Sequence, residues 1–276
     1  MKLFSQTFGA GTPIIIVHGG PGLDHGYFLP QMLDLAQDHQ IIFYDQRGSG
    51  KSLETEISPE FINVNQFVQD LEDLRRDLGL SSFVLLGHSW GGELAMHYAV
   101  TYPEAVSALI LMSTGPADAA GFSSFRESFM RVVAPIQEKI KALFDYAEFE
   151  KLTESEILKL FQELFSVYLD DPLKIWELSL KRTEHSAKSG ERVRHLIRSQ
   201  PQEDLFPRLR ELRIPSLILH GEEDVVLIWT AEKISQAIPH AKLIRLRNCG
   251  HFPYMEKPEE TFMAIREFLK KEQISG

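Results

Sequence analysis

Ser89 stands in Gly87-His88-Ser89-Trp90-Gly91, a Gly-x-Ser-x-Gly pattern, and its surroundings decide what its hydroxyl can do. The apolar run Phe83-Val84-Leu85-Leu86 before it suits a buried strand. The alanine-rich Glu93-Leu94-Ala95-Met96-His97-Tyr98-Ala99 after it suits a helix. A strand that turns straight into a helix forces the apical residue into a strained backbone conformation and holds its Oγ clear of the sheet, the arrangement called a nucleophile elbow. Glycines at 87 and 91 fit that turn, because side chains there would collide across it. Serine is a poor nucleophile at neutral pH. An adjacent base must take its proton, and a third group must orient the base.

The unit resembles that of the α/β-hydrolases, in which nucleophile, acid and histidine follow in that order along the chain, the last two on loops after later strands. The resemblance implies an acid after Ser216-Leu217-Ile218-Leu219-His220. Asp224 in Gly221-Glu222-Glu223-Asp224 matches the position, while Glu222 and Glu223 read better as a solvated acidic loop. It implies a histidine after Lys242–Leu246, which is His251 in Asn248-Cys249-Gly250-His251-Phe252-Pro253. The expected triad is Ser89, Asp224 and His251. The other nine histidines lack that placement, and His88 is expected to pack within the elbow. Acyl transfer also needs donors aimed at the developing oxyanion. The backbone N–H of Trp90 is one, and the loop His18-Gly19-Gly20-Pro21-Gly22 should supply the other. Gly20 is the expected donor and Gly19 the neighbouring alternative against the substrate, since Pro21 has no N–H to give. His18 is read as a brace for this loop.

Short apolar runs alternating with helical patterns predict an α/β class with a mainly parallel sheet flanked by helices. The strand candidates are Ile14–Val17, Ile41–Tyr44, Phe83–Leu86, Ala108–Met112, Ser216–His220 and Leu243–Leu246; Asn65–Leu78, Gly92–Thr101, Ala231–Ala237 and Glu259–Lys271 read as helices. From about residue 118 to 207 no strand is convincing. Phe122–Val133, Ile136–Phe149, Glu154–Leu169 and Pro172–Arg182 look helical, with Phe125, Phe129, Phe161, Phe165 and Trp176 expected mostly in a core. This divides the chain into a core, 1–117 and 208–276, and an inserted helical cap, 118–207.

The formal net charge of −10 on 276 residues, without a basic stripe, argues against nucleic acid and anionic membranes as partners. No apolar run approaches the roughly 20 residues that span a bilayer, and Met1–Thr7 lacks a secretory apolar region, so a cytoplasmic location is expected. The single Cys249 permits no internal disulfide and reads as an idle thiol. Gly48-Ser49-Gly50-Lys51-Ser52 ends like a phosphate-binding loop, but Asp45 stands where that pattern needs glycine. Asp45 and Arg47 are read as ties between this loop and its neighbours. With no metal-ligand spacing and no dinucleotide fingerprint, neither metal nor cofactor is expected.

His18-Gly19-Gly20-Pro21-Gly22, Asp45-Gln46-Arg47-Gly48-Ser49-Gly50 and Gly87-His88-Ser89-Trp90-Gly91-Gly92 together resemble the proline iminopeptidase family, α/β-hydrolases that remove an N-terminal proline, or sometimes another residue, from short peptides. That resemblance implies an aminopeptidase whose cap glutamates hold the substrate's amino group. Glu177, Glu184 and Glu203 are cap acids, and Glu184 and Glu203 are taken as candidates for substrate binding. The chain departs from the family ahead of Ile14, where there is room only for a short hairpin or one strand. It departs again at Val225-Val226-Leu227 and Gly250–Pro258, which look like esterase-type hydrolases. The alternative is therefore a carboxylesterase or lactonase using the same machinery, with carbon–carbon bond hydrolysis also compatible. Epoxide and haloalkane hydrolysis need a carboxylate nucleophile and do not fit Ser89. A non-catalytic receptor on the same scaffold would be expected to carry a degraded triad or oxyanion loop, and both are intact here.

Overall fold

Ile14, Ile15, Ile16 and Val17 are fully buried in succession, as are Val84 to Leu86 and Ala108 to Met112. A strand buried on both faces is what a parallel sheet covered by helices on each side requires. The computed structural model of the chain, which describes residues 2–274, shows that sheet; Met1, Ser275 and Gly276, at the outer ends of the 1–117 and 208–276 segments, lie outside the described residues. Its seven strands are β1 (Ser5–Phe8), β2 (Pro13–Val17), β3 (Gln40–Tyr44), β4 (Phe83–His88), β5 (Val106–Met112), β6 (Ser216–Gly221) and β7 (Lys242–Leu246), in the order β1-β3-β2-β4-β5-β6-β7. β1 runs antiparallel to β3, and every other pairing is parallel.

The helices are α1 (Val64–Asp77), α2 (Trp90–Thr101), α3 (Ala119–Val133), α4 (Gln137–Ile140), α5 (Tyr146–Phe149), α6 (Glu154–Ser166), α7 (Glu184–Arg198), α8 (Phe206–Leu209), α9 (Ile228–Ala237), α10 (Pro253–Glu256) and α11 (Pro258–Lys271). Alternate strand residues enter separate cores. Ile15, Val17, Leu85, Leu109 and Ile218 pack with α1, α2 and α9 through Phe67, Leu94 and Ile234. Ile14, Ile16, Leu86, Ile110 and Leu219 pack on the other face with Phe28, Tyr254 and Ile265. Parallel register brings the carboxyl ends of β2, β4, β6 and β7 to one edge, where the loops bearing Gly20, Ser89, Asp224 and His251 emerge.

Between β5 and β6 the described chain forms helices and turns only, with a small core of its own around Val133, Ile140, Phe149 and Ile157. Two expected helices differ there. Ile136–Phe149 is broken, because the Asp145 carboxylate accepts the N–H groups of Ala147 and Glu148 and starts α5 afresh. Pro172–Arg182 forms only a short 3-10 helix over Pro172–Glu177, after which the chain extends and buries Leu178 and Leu180. Trp176, expected among the core aromatics, is 75% exposed. α7, the third long helix of this segment, lies outside every expected helix. No helix among the described residues is long and apolar enough to cross a membrane.

Leu85 sits at the centre of this sheet with no exposed surface. Leu85→Ala should cost about 2–5 kcal/mol in urea unfolding; a loss under 1 kcal/mol would mean that β4 is not the packed centre.

Candidate active site

Ser89 has φ 57° and ψ −126°, the strained conformation expected at the apex between β4 and α2. A Cβ on Gly87 would run into the Gly91 backbone, and one on Gly91 into the Val17 carbonyl, so only glycine lets β4, α2 and β2 meet this closely. The loop His18–Gly22 lies directly alongside, since a Cβ placed on Gly19 would be 3.0 Å from the Ser89 Cβ.

His251 Nδ1 lies 2.8 Å from Asp224 Oδ1, and both residues are buried. Burial alone would raise the Asp224 carboxyl, but the His251 and His220 rings and the hydrogen bonds from His251 and the Val226 N–H together hold it below its ordinary range. Asp224 therefore stays ionised and can orient the imidazole. His251 and Ser89 both face a cavity of about 640 Å³ roofed by α3, α6 and α7.

The backbone N–H groups of Gly20 and Trp90 have no acceptor among the described residues. The Gly19 N–H, by contrast, donates to the Tyr27 hydroxyl at 2.7 Å, so of the two expected donors only Gly20 is unspent. Tyr27 in turn contacts His88 Nδ1 at 2.8 Å, and His88 Nε2 lies 2.7 Å from the His251 carbonyl oxygen. Burial, reinforced by the neighbouring His251, lowers His88 to about 3, so its ring is neutral. A carbonyl can only accept, so Nε2 carries the proton and Nδ1 accepts from Tyr27. One directed chain thus runs from the 18–22 loop through the elbow to the His251 backbone. His18 works as a brace: Nδ1 donates to the Gly19 carbonyl, Nε2 accepts the Gln46 N–H, and Gln46 Oε1 accepts from the Trp90 indole.

Asp45 accepts from the His25 and Lys51 N–H groups, and Arg47 forms two hydrogen bonds with Asp70, so the loop resembling a phosphate site is held by internal ties. Burial pushes the Cys249 thiol well above its usual value, which leaves it un-ionised.

Several residues that shape the site gave no signal in the sequence. Glu256 accepts the N–H groups of Gly250, Phe252 and Asp170 at 2.8–2.9 Å, clamping the His251 loop to the cap. Arg182 reaches across to the oxyanion loop, donating to Asp24 and to the Gly22 carbonyl. The apolar cavity wall includes Phe122, Phe125, Phe129, Phe161 and Phe165, aromatics whose helical spacing alone reads as core. Its charged wall holds Arg126, Arg182, Arg194 and Arg198 against a single carboxylate, Glu191. Glu184 pairs with Lys188 on α7 and Glu203 pairs with Arg208; both are exposed and neither lines the cavity.

The sequence profile of the alpha/beta hydrolase fold matches residues 12–258. The chain belongs to the α/β-hydrolase fold family. It is 32% identical over 272 residues to the proline iminopeptidase of Lactobacillus helveticus, spanning 93% of this hydrolase and 89% of the relative. Among solved structures it resembles a thermophilic esterase from Thermogutta terrifontis, at 25% identity and a TM-score of 0.70 over 98% of this chain and 93% of that one. It also shares its fold with the esterase RhEst1 from Rhodococcus, at 22% identity and a TM-score of 0.77 over 97% and 94% of the two chains. The hydrolase family accounts for the elbow and for the sheet order around it.

Two measurements probe this geometry. Tyr27→Phe leaves the Gly19 N–H and His88 Nδ1 unpartnered and should cost about 1–3 kcal/mol in urea unfolding, whereas unchanged stability would remove the chain of hydrogen bonds as a brace. Glu93, on α2 beneath the cavity, is raised from 4.5 to about 7 by burial, against the opposing pull of Arg198. An acid raised on folding makes the protein lose stability as pH climbs from about 4.5 to 7, because the unfolded chain gives up that proton first. Glu93→Gln, which does not titrate, should gain up to about 3 kcal/mol over wild type across that window; a pH-independent difference would contradict the assignment.

Proposed function

We propose that this hydrolase cleaves small acyl substrates through an acyl-enzyme on Ser89. The observation that carries the reading is His251, held by buried Asp224, on the wall that also presents Ser89 and the unspent N–H groups of Gly20 and Trp90. Ser89 Oγ attacks the acyl carbonyl while His251 takes its proton, and Asp224 stabilises the imidazolium. The Gly20 and Trp90 amides receive the developing oxyanion, each such donor being worth about 2.7–4 kcal/mol. Collapse of the intermediate expels the leaving group, which takes the proton from His251. Water then repeats the sequence against the acyl-enzyme, freeing the acid and restoring Ser89.

Two substrate classes have support. The Lactobacillus relative's name supports removal of N-terminal proline from short peptides. The lining of the cavity favours esters. An ammonium taken out of water needs an anionic partner, and Glu191, the one carboxylate among the described lining residues, is already bound by two hydrogen bonds to Arg194. We therefore read the site as that of an ester-type hydrolase on small molecules, with aminopeptidase action as the second reading.

The test compares kcat/KM for p-nitrophenyl butyrate and proline p-nitroanilide, with Ser89→Ala as control. We expect the ester to be preferred and its turnover to fall by about 10^3-fold or more in Ser89→Ala. Preference for the prolyl anilide would establish the aminopeptidase reading instead. Ester turnover that survives Ser89→Ala would overturn the acyl-enzyme.

A further inference from the structure

The cavity wall beside Ser89 is basic although the chain carries a formal net charge of −10. Of its four arginines, two are committed. Arg182 donates to Asp24, the Gly22 carbonyl and the Ser186 carbonyl. Arg194 is forked onto Glu191. Arg126 stands exposed at the rim.

Arg198 is different. It projects from the last turn of α7, its guanidinium 5.7 Å from the Trp90 ring centroid and 5.5 Å from that of Phe122. It makes no hydrogen bond among the described residues, and its buried Nη1 has no hydrogen-bond partner. Its nearest carboxylate oxygen is Glu93 Oε2 at 3.5 Å, which is also buried without a hydrogen-bond partner. A planar guanidinium steadied by two aromatic rings, its buried Nη1 turned to Glu93 and about 30% of its side chain open, has its remaining N–H donors available to a carboxylate. Trp90 directly follows Ser89, so a small molecule held at the nucleophile comes within reach of this group.

We propose that the cavity takes substrates that join an apolar, aromatic-sized body to a carboxylate, with the phenylalanines of α3 and α6 holding the body and Arg198 anchoring the carboxylate. This names the substrate class of the site and rests on reading the cavity as that of the Ser89 hydrolase. Glu93 then acts as the anchor's resident counter-ion, loosely paired when the site is empty. Its elevated titration near neutral pH is consistent with a carboxylate that only partly offsets Arg198.

The test is calorimetric binding of 4-phenylbutanoate and its neutral amide, 4-phenylbutanamide, to the Ser89→Ala protein, where no turnover intervenes. We expect the acid to bind about tenfold or more tightly than the amide, with the preference shrinking as salt is raised. Adding Arg198→Met should abolish the preference and Arg198→Lys should keep part of it. Glu93→Gln should strengthen acid binding by releasing Arg198, which a purely structural core-to-cap ion pair would not do. Where Arg198→Met does not fold, Glu93→Gln/Arg198→Met removes both charges together and takes its place. Equal binding of acid and amide overturns the proposal. So does a preference that survives loss of Arg198, which would place the carboxylate in the oxyanion hole. If the acid preference tracks Arg198 while the wild type shows no Ser89-dependent turnover, the hydrolase reading fails and the anion subsite stands.

Discussion

Everything at this site depends on a single residue of backbone held where side chains seldom go. With φ at 57°, Ser89 ends β4 and begins α2 in one step, so its Oγ meets neither the sheet nor the helix. Such a conformation costs of order 1–3 kcal/mol and persists only where the surroundings over-determine it. Here its N–H is shared between the Met112 and Ser113 carbonyls, and its carbonyl accepts from Gly92 and Gly115. Gly87 and Gly91 permit the close approach of β2 and α2, and fully buried flanking strands leave the turn nowhere to relax.

Around that turn the polar groups form one connected frame. The Gly19 N–H, Tyr27, His88 and the His251 carbonyl link the 18–22 loop to the histidine loop. Glu256 gathers three N–H groups of the histidine loop and the cap, and Arg182 ties the cap to Gly22. In a low-dielectric interior a fully satisfied network of this kind fixes geometry that apolar packing alone leaves loose. It also ties the helical segment between β5 and β6 to the 18–22 loop, so the cavity roof and the residues beside Ser89 share a support.

Most of the scaffold was legible because its physics is local. Ile14–Val17, Phe83–Leu86 and Ala108–Met112 are unbroken apolar runs, too short for a buried helix and bounded by turn residues or helical patterns, which points to central parallel strands. β1 shows the opposite case: Ser5–Phe8 is half exposed and has no apolar run, so the sequence showed only that a short hairpin or single strand could fit. Asp224 and His251 were placed by their order after β6 and β7, and the structure brings them within hydrogen-bond distance. The cap resisted. The buried face of α7 is Ser186, Ala187, Ser189, Gly190, Val193 and Ile197, so its first two turns bury only small or polar residues and the apolar stripe is confined to the last turns. That helix carries Glu191, Arg194 and Arg198, so the charge of the cavity was hidden with it. Glu184 and Glu203 were chosen as acids in a helical segment, and nothing local to either shows that its pairing with Lys188 or Arg208 keeps it outside the cavity.

A serine activated by His251 is one that a serine-directed reagent captures as a covalent adduct. Intact-mass measurement after brief exposure to a serine-directed fluorophosphonate, followed by peptide mapping, should show one equivalent bound at Ser89. The same exposure should leave His251→Ala largely unlabelled. An unlabelled wild type, a label on another residue, or equal labelling without His251 would contradict the account.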